Sequence, residues 1–268
     1  MGTGTTTPSV RQIMVATAAR EIRDGELVFV GMRLPLLAFA VAKTLHAPRA
    51  VGLFENGIVR DAPPLAPLVT MGDPPNVAGA VACTGLLDVM GLLQQGRVDL
   101  GLLGAAEVDR FGNLNTTWAG GLRLPGSGGA CDIAVLSRRF IVLVTHERRR
   151  FPRRVAFLTS PGHGEGGDWR RRMGLRGGGP ARVITTLGVL SAEEASGELV
   201  LTAVHPGVSV EQVRRETGWE LRVAPAVAET PRPTAEELAV IRRFDPEGHW
   251  TGPEGAGGWE SPHRGTPG

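Results

Sequence analysis

Residues 26–57 read ELVFVGMRLPLLAFAVAKTLHAPRAVGLFENG and contain a complete strand–turn–helix–strand unit. Glu26 to Val30 is a short strand-forming run, and Gly31-Met32-Arg33-Leu34-Pro35 carries turn chemistry. Leu36 to Leu45 is almost wholly apolar and reads as a buried helix. Pro48 breaks the chain before a second apolar run, Ala50 to Phe54, which ends at Glu55-Asn56-Gly57. A strand, a helix and a second strand in this order form a βαβ unit. Such a unit predicts an α/β fold with an open, mostly parallel sheet flanked by helices. Glu55 then stands at the carboxyl end of a buried strand, the edge where open α/β sheets place their ligands. A carboxylate held there can act as a covalent nucleophile; the plainer alternative is an exposed acid in a turn.

The same pattern extends in both directions. Residues 10–23 carry Ile13, Met14, Ala16, Ala19 and Ile22 at helical spacing. Residues 61–78 are Pro-rich and irregular. Val81 to Gln94 reads as one helix and Val98 to Leu103 as a strand. Gly104 to Asn115 has hairpin character around Asp109-Arg110-Phe111-Gly112-Asn113. Phe140–Thr145, Val155–Thr159, Val183–Leu187 and Leu199–Val204 read as strands, and 163–181 as a loop. Ser209-x-x-Gln212 and Thr234-x-x-Glu237 are capping-box openings of two helices. The expected organisation is a flexible N-terminus over 1–9, one domain over 10–247 and a disordered Gly/Pro/Ser-rich tail over 248–268.

Composition narrows the function. The 268 residues are 42% hydrophobic with a net charge of +2, enough for a sizeable core but too little charge to imply a nucleic-acid partner. Lys43 is the single lysine and tyrosine is absent. Cys83 and Cys131 lack metal-ligand spacing, and the six histidines form no H-x-x-x-H or H-E-x-x-H pattern, so no metal is assigned. No apolar stretch is long enough for a bilayer, and residues 1–8 have no signal-peptide core; the expected location is cytoplasmic. Gly126-Ser127-Gly128-Gly129-Ala130 lacks the spacing of a dinucleotide or P-loop site. It is either a plain loop or a set of backbone N–H donors close to a ligand.

Taken in order, several stretches resemble the β subunit of family I CoA-transferases, most closely the small subunit of glutaconate CoA-transferase. They are Gly31 to Leu36, Glu55-Asn56-Gly57, Gly104 to Asp109 through Asn115, Gly126 to Ala130, His146 to Phe151, Thr159 to Gly162, and His205-Pro206-Gly207 with Thr217-Gly218. The resemblance spans about residues 10 to 247. It implies a NagB/RpiA/CoA-transferase-like fold with an added β-rich hairpin region, and an active site shared with an α subunit, expected as an α2β2 heterotetramer. It implies that Glu55 is the nucleophile and that Gly128, Gly129 and Ala130 contribute oxyanion and CoA contacts. Gly31, Arg33, Asn56 and Gly104 are candidate lining residues. Arg33 is placed to pair with a substrate carboxylate or a CoA phosphate, or to form a surface salt bridge. Coenzyme A enters as a substrate, alongside an acyl group and a carboxylic acid, with no permanently bound cofactor. Phe54 stands where the wider oxoacid transferases have Ser, which argues against their substrates. Related hydrolases that open a steroid-derived ring lack this glutamate, and a non-catalytic subunit is the remaining alternative.

Overall fold

The computed structural model describes residues 7–68 and 70–252. In chain order the first half contains α1 (Val10–Ala19), β1 (Leu27–Val30), α2 (Leu34–Leu45), β2 (Val51–Leu53), β3 (Ile58–Arg60), α3 (Pro74–Val77), β4 (Ala82–Cys83), α4 (Leu86–Gln94) and β5 (Leu100–Gly104). Two short hairpins follow, β6 (Glu107–Val108) with β7 (Leu114–Asn115) and β8 (Trp118–Ala119) with β9 (Leu122–Arg123). The second half contains α5 (Ala130–Leu136), β10 (Arg139–Val144), α6 (Trp169–Arg172), β11 (Pro180–Thr185), β12 (Gly188–Ala192), β13 (Leu199–Val204), α7 (Val210–Arg215), β14 (Arg222–Glu229) and α8 (Ala235–Phe244).

Ten strands form one sheet in the order β14-β13-β12-β11-β10-β5-β1-β2-β3-β4. Its centre, β2-β1-β5-β10-β11, is parallel throughout, as the βαβ pattern predicts. The margins turn antiparallel through β3 and β4 on one side and β12 on the other. One apolar cluster fills the face covered by α1, α2 and α8; a second fills the face covered by α4, α5 and the β6–β7 region. α2 is buried almost all round. At its end, Lys43 Nζ donates to the carbonyls of Pro48 and Ala50, fixing where the chain turns into β2. Burial pushes the Lys43 amine down from its ordinary pKa.

Four local expectations are corrected. Val81–Gln94 is not one helix: Ala82–Cys83 joins β3, and α4 begins only at Leu86. The Asp88 carboxylate accepts from the Gly85 N–H at 2.9 Å, so Gly85-x-x-Asp88 is the N-terminal cap and Val81–Thr84 lies outside it. Val155–Thr159 is not a strand. The Ala156 N–H is taken by the Glu107 carboxylate at 2.9 Å and the Val155 N–H by Asp109 at 3.4 Å, which withdraws two of the segment's donors from a ladder. Within the expected loop 163–181, α6 forms one helical turn, and buried Arg170 donates to the carbonyls of Gly177, Gly162 and Ala134. Desolvation draws the Arg170 pKa down to about 10. Helix α1 stops at Ala19 and the chain turns through Gly25 at φ 84°.

At the C-terminal end, the Asp245 carboxylate accepts from the Trp250 N–H at 3.1 Å and the Thr251 N–H at 2.8 Å. Ser9 Oγ donates to the Thr251 carbonyl at 2.5 Å. Residues 246–252 are thereby strapped back onto the start of α1. The rest of the expected tail, 253–268, and residues 1–6 lie outside the described residues.

Candidate active site

Glu55 lies on a tight connection between β2 and β3. The Phe54 N–H donates to the Ile58 carbonyl and the Gly57 N–H to the Phe54 carbonyl, both at 2.9 Å. Phe54 is fully buried and anchors the turn. Gly57 has φ 95°, and a Cβ there would stand 2.2 Å from the Thr84 carbonyl oxygen, so no other residue fits. Thr84 closes the turn from behind, donating its N–H (2.8 Å) and its hydroxyl (2.9 Å) to the Gly57 carbonyl. With its backbone fixed on both sides, the half-buried Glu55 side chain projects toward α5.

The glycine segment meets it there. The Gly126 N–H donates to the Thr116 carbonyl at 2.9 Å, which ties the segment to the β7–β8 connection. Gly126 and Gly128 take φ 97° and 49°. Gly129 then opens α5, and its N–H donates to Glu55 Oε1 at 2.9 Å. A Cβ on Gly129 would meet Met90 Cε at 2.6 Å and Glu55 Cδ at 3.3 Å; one on Gly128 would stand 3.5 Å from Glu55 Oε1. The Ala130 N–H is spent on the Ser127 carbonyl at 3.0 Å, whereas the Gly128 N–H has no partner among the described residues. Of the three proposed donors, Gly129 is therefore engaged with the carboxylate, Gly128 is unengaged and Ala130 is committed internally.

Beside this cluster runs a cleft of about 640 Å³ along the carboxyl ends of β1, β5 and β10. Arg33 and Gly104 border it, with Gly126 leading toward Glu55 and Trp250 closing one end. Glu55 and Asn56 do not line it. Asn56 Nδ2 donates to the Met71 carbonyl at 3.1 Å. Gly31 serves packing instead: a Cβ there would lie 2.6 Å from the Leu102 carbonyl oxygen. Arg33 forms no salt bridge among the described residues. It caps α2 at φ 68°, ψ −120°, with its guanidinium 5.2 Å from the centre of the Trp250 ring.

Three contributors went unread in the sequence. Thr84 was hidden inside a supposed helix, although Gly85-x-x-Asp88 marks a cap just after it. Met90, which touches Gly129, carries no signal beyond helical spacing. Trp250 sits in a stretch whose composition resembles a tail. Two further clefts, of about 750 Å³ near Phe111 and Trp169 and about 850 Å³ near Arg148 and Arg214, border the β6–β7 turn. Among the described residues no three His, Cys, Asp or Glu side chains are grouped to hold a metal, and no helix is long and apolar enough to cross a membrane.

Similarity to known proteins extends over most of the chain. The family described as Coenzyme A transferase matches residues 11–216. The chain is 41% identical over 243 residues to the B subunit of the 3-oxoadipate CoA-transferase of Pseudomonas knackmussii, covering 88% of this chain and 93% of that one. The crystal structure of glutaconate coenzyme A-transferase from Acidaminococcus fermentans superposes with a TM-score of 0.85 at 31% identity, covering 91% of this chain and 97% of that one. The decarboxylase AibA/AibB superposes with a TM-score of 0.77 at 29% identity, covering 90% and 96%. The chain belongs to the coenzyme A transferase family and is of the β type.

Proposed function

We propose that this chain is the β subunit of a heteromeric CoA-transferase that moves CoA from an acyl-CoA to a carboxylic acid through a thioester on Glu55. The observation that carries the reading is the Glu55 carboxylate, fixed at the end of β2 and hydrogen-bonded to the Gly129 amide. One Glu55 oxygen attacks the thioester carbonyl, the C–S bond breaks, and CoA leaves as thiolate from a mixed anhydride. The thiolate then attacks the glutamyl carbonyl, giving glutamyl-CoA and releasing the first carboxylate. An incoming carboxylate attacks glutamyl-CoA, and the same two steps run in reverse to release the new acyl-CoA. Each attack creates an oxyanion, for which the unengaged Gly128 N–H is the nearest candidate donor; such donors are worth about 3–4 kcal/mol each.

The relatives are B subunits of their enzymes, which supports a partner α subunit; an α2β2 assembly in the cytoplasm is part of the proposal. Leu86, Leu87, Trp118 and Leu122 are exposed on α4 and the β8–β9 hairpin, the two elements that flank Gly129 and the glycine segment. An apolar surface beside the site suits a partner that completes it. A decarboxylase reading has the AibA/AibB likeness in its favour, and trapping separates the two. Incubating the assembled enzyme with an acyl-CoA and then borohydride or hydroxylamine should modify Glu55, and Glu55→Ala should abolish the modification. No adduct with any acyl-CoA tried, together with CO2 release, would favour decarboxylation.

A further inference from the structure

The two clefts that border the β6–β7 turn share two lining residues, Arg110 and Arg153. They therefore adjoin, and form one groove with two compartments of different chemistry. Neither shares a lining residue with the cleft that leads toward Glu55. The first compartment, about 750 Å³, has Phe111 and Trp169 as aromatic walls, with Val155 and Leu158 beside them. The second, about 850 Å³, is lined by Arg110, Arg148, Arg153, Arg214 and Arg222. Both volumes suit a small organic ligand.

The aromatic compartment is built on close backbone packing. Gly164 takes φ 63°, and a Cβ there would fall 2.0 Å from the Trp169 ring; Gly166 takes φ 92°, and its Cβ would stand 2.6 Å from the Phe111 ring. Two glycines thus make room for the two rings. Asn113 Oδ1 accepts from the Gly162 and Gly164 N–H groups at 2.9 and 3.0 Å, which joins that segment to the turn carrying Phe111. Asp109 fixes the turn itself, accepting from the Phe111 and Asn113 N–H groups at 3.0 and 3.1 Å.

The arginines are unequally engaged. Arg222 is held by both Glu193 oxygens at 2.6 Å, and Arg148 donates to the Arg215 and Thr217 carbonyls at 2.9 and 3.0 Å. Arg110 lies over the Phe111 ring, 4.6 Å from its centre, a contact that leaves its in-plane N–H donors available. The side chains of Arg153 and Arg214 make no hydrogen bond or ion pair among the described residues. Trp219 also lines this compartment; it is 9% exposed and its Nε1 donor has no acceptor among the described residues. Glu198 and Glu220 offset part of the charge here. Glu165 stands in the aromatic compartment, where a carboxylate can accept from a ribose hydroxyl.

We propose that this groove is a nucleotide site separate from the CoA substrate, taking a purine nucleotide with a phosphate chain. The base enters the Phe111–Trp169 compartment, where aromatic faces stack on it. The phosphates meet Arg110, Arg153 and Arg214, whose planar forks match phosphate oxygens in pairs. The site stands whether or not Glu55 carries a thioester.

The test titrates ATP calorimetrically into the enzyme assembled with its partner subunit, with and without saturating CoA. One ATP should bind per β chain, equally in both cases. Arg153→Gln combined with Arg214→Gln, two exposed positions, should weaken binding about tenfold or more. The variant should leave the KM for the acyl-CoA donor unchanged. Trp169→Phe should weaken ATP while leaving inorganic tripolyphosphate as it was. On the unaltered enzyme, ATP should bind more tightly than tripolyphosphate or adenosine alone. Tripolyphosphate binding as tightly as ATP would make the groove a polyanion patch and overturn the proposal. Displacement of ATP by CoA, or a raised KM for the acyl-CoA donor in the double variant, would assign the arginines to CoA and also overturn it. Loss of assembly in that variant would mark an intersubunit contact, with the same consequence, and so would the absence of saturable ATP binding.

Discussion

The backbone N–H of Gly129 donates to Glu55 Oε1 at 2.9 Å, joining residues 74 positions apart in the chain. The bond links the β2–β3 turn to the N-cap residue of α5 and places the carboxylate against backbone that has no side chain to obstruct it. Everything proposed for the chemistry depends on that approach.

Gly129→Ala tests it. The added Cβ would overlap Met90 Cε at 2.6 Å and press on Glu55 Cδ at 3.3 Å, displacing the carboxylate without altering charge. Misplacement of about 1 Å at a reacting centre costs about a hundredfold in rate. We expect kcat to fall by about that factor with the melting temperature little changed, measured by transfer assay and thermal unfolding. Since Met90 can move, the double variant Gly129→Ala with Met90→Ala should recover part of the packing but not the rate.

Arg33→Gly tests the backbone strain. Glycine adopts φ 68°, ψ −120° without strain, so the variant should be more stable by about 1 kcal/mol. Denaturant unfolding of both proteins checks this; a less stable variant would mean that the Trp250 contact outweighs the backbone strain.

Acid should unfold the protein earlier than its carboxylates alone would require. His146 is buried, stacked on Phe151 at 3.9 Å and bonded to Thr185 and Thr217, and desolvation holds its pKa down at about 3. The folded value lies below the unfolded one, so the unfolded chain binds the extra proton between them. Stability from this group is complete above pH ~6.5 and falls as pH drops, by about 2 kcal/mol at pH 5. His163 and His205 shift downward for the same reason, desolvation, and add to the same slope. Glu193, pulled to about 2 first by its hydrogen bonds from Arg222, is lost only below pH ~4.5. Urea unfolding between pH 7.5 and 5 should show the decline, and His146→Gln should flatten it.

The exposed leucines should matter to assembly rather than to folding. Leu87 is 84% and Leu122 69% exposed, so Leu87→Glu and Leu122→Glu should leave the chain's melting temperature within about 1 °C, since substitutions at such surface positions stay within about 0.5 kcal/mol. Co-purification with the partner subunit should drop sharply. Unaltered co-purification of the double variant would place the interface elsewhere.

The sequence made the scaffold readable where one physical signal dominated. The apolar run from Val51 to Phe54 and the almost wholly apolar α2 leave no other solution than a covered parallel sheet, and Ser209 and Thr234 mark their helix starts by chemistry that acts within one turn. It failed where distant side chains override local preference. Val155 and Ala156 look like strand residues until Asp109 and Glu107 take their amides. β14 carries Pro225 and mostly exposed positions, and pairs along one side with β13 alone. The candidate site divides in the same way. Glu55 and the glycine segment are legible as motifs, whereas Thr84, Met90 and Trp250 gain meaning only once the fold brings them to the carboxyl edge of the sheet.

Oxygen transfer tests covalent catalysis by Glu55 most directly. The assembled enzyme is run with an acyl-CoA donor and an acceptor whose carboxylate carries 18O in ordinary water. The mechanism predicts that each transfer leaves one labelled oxygen on Glu55, visible as a gain of about 2 Da in the Glu55 peptide, and that this oxygen enters about half of the next carboxylate released, since either Glu55 oxygen can attack. An unlabelled Glu55 peptide, with released acid taking its oxygen from water instead, would contradict it.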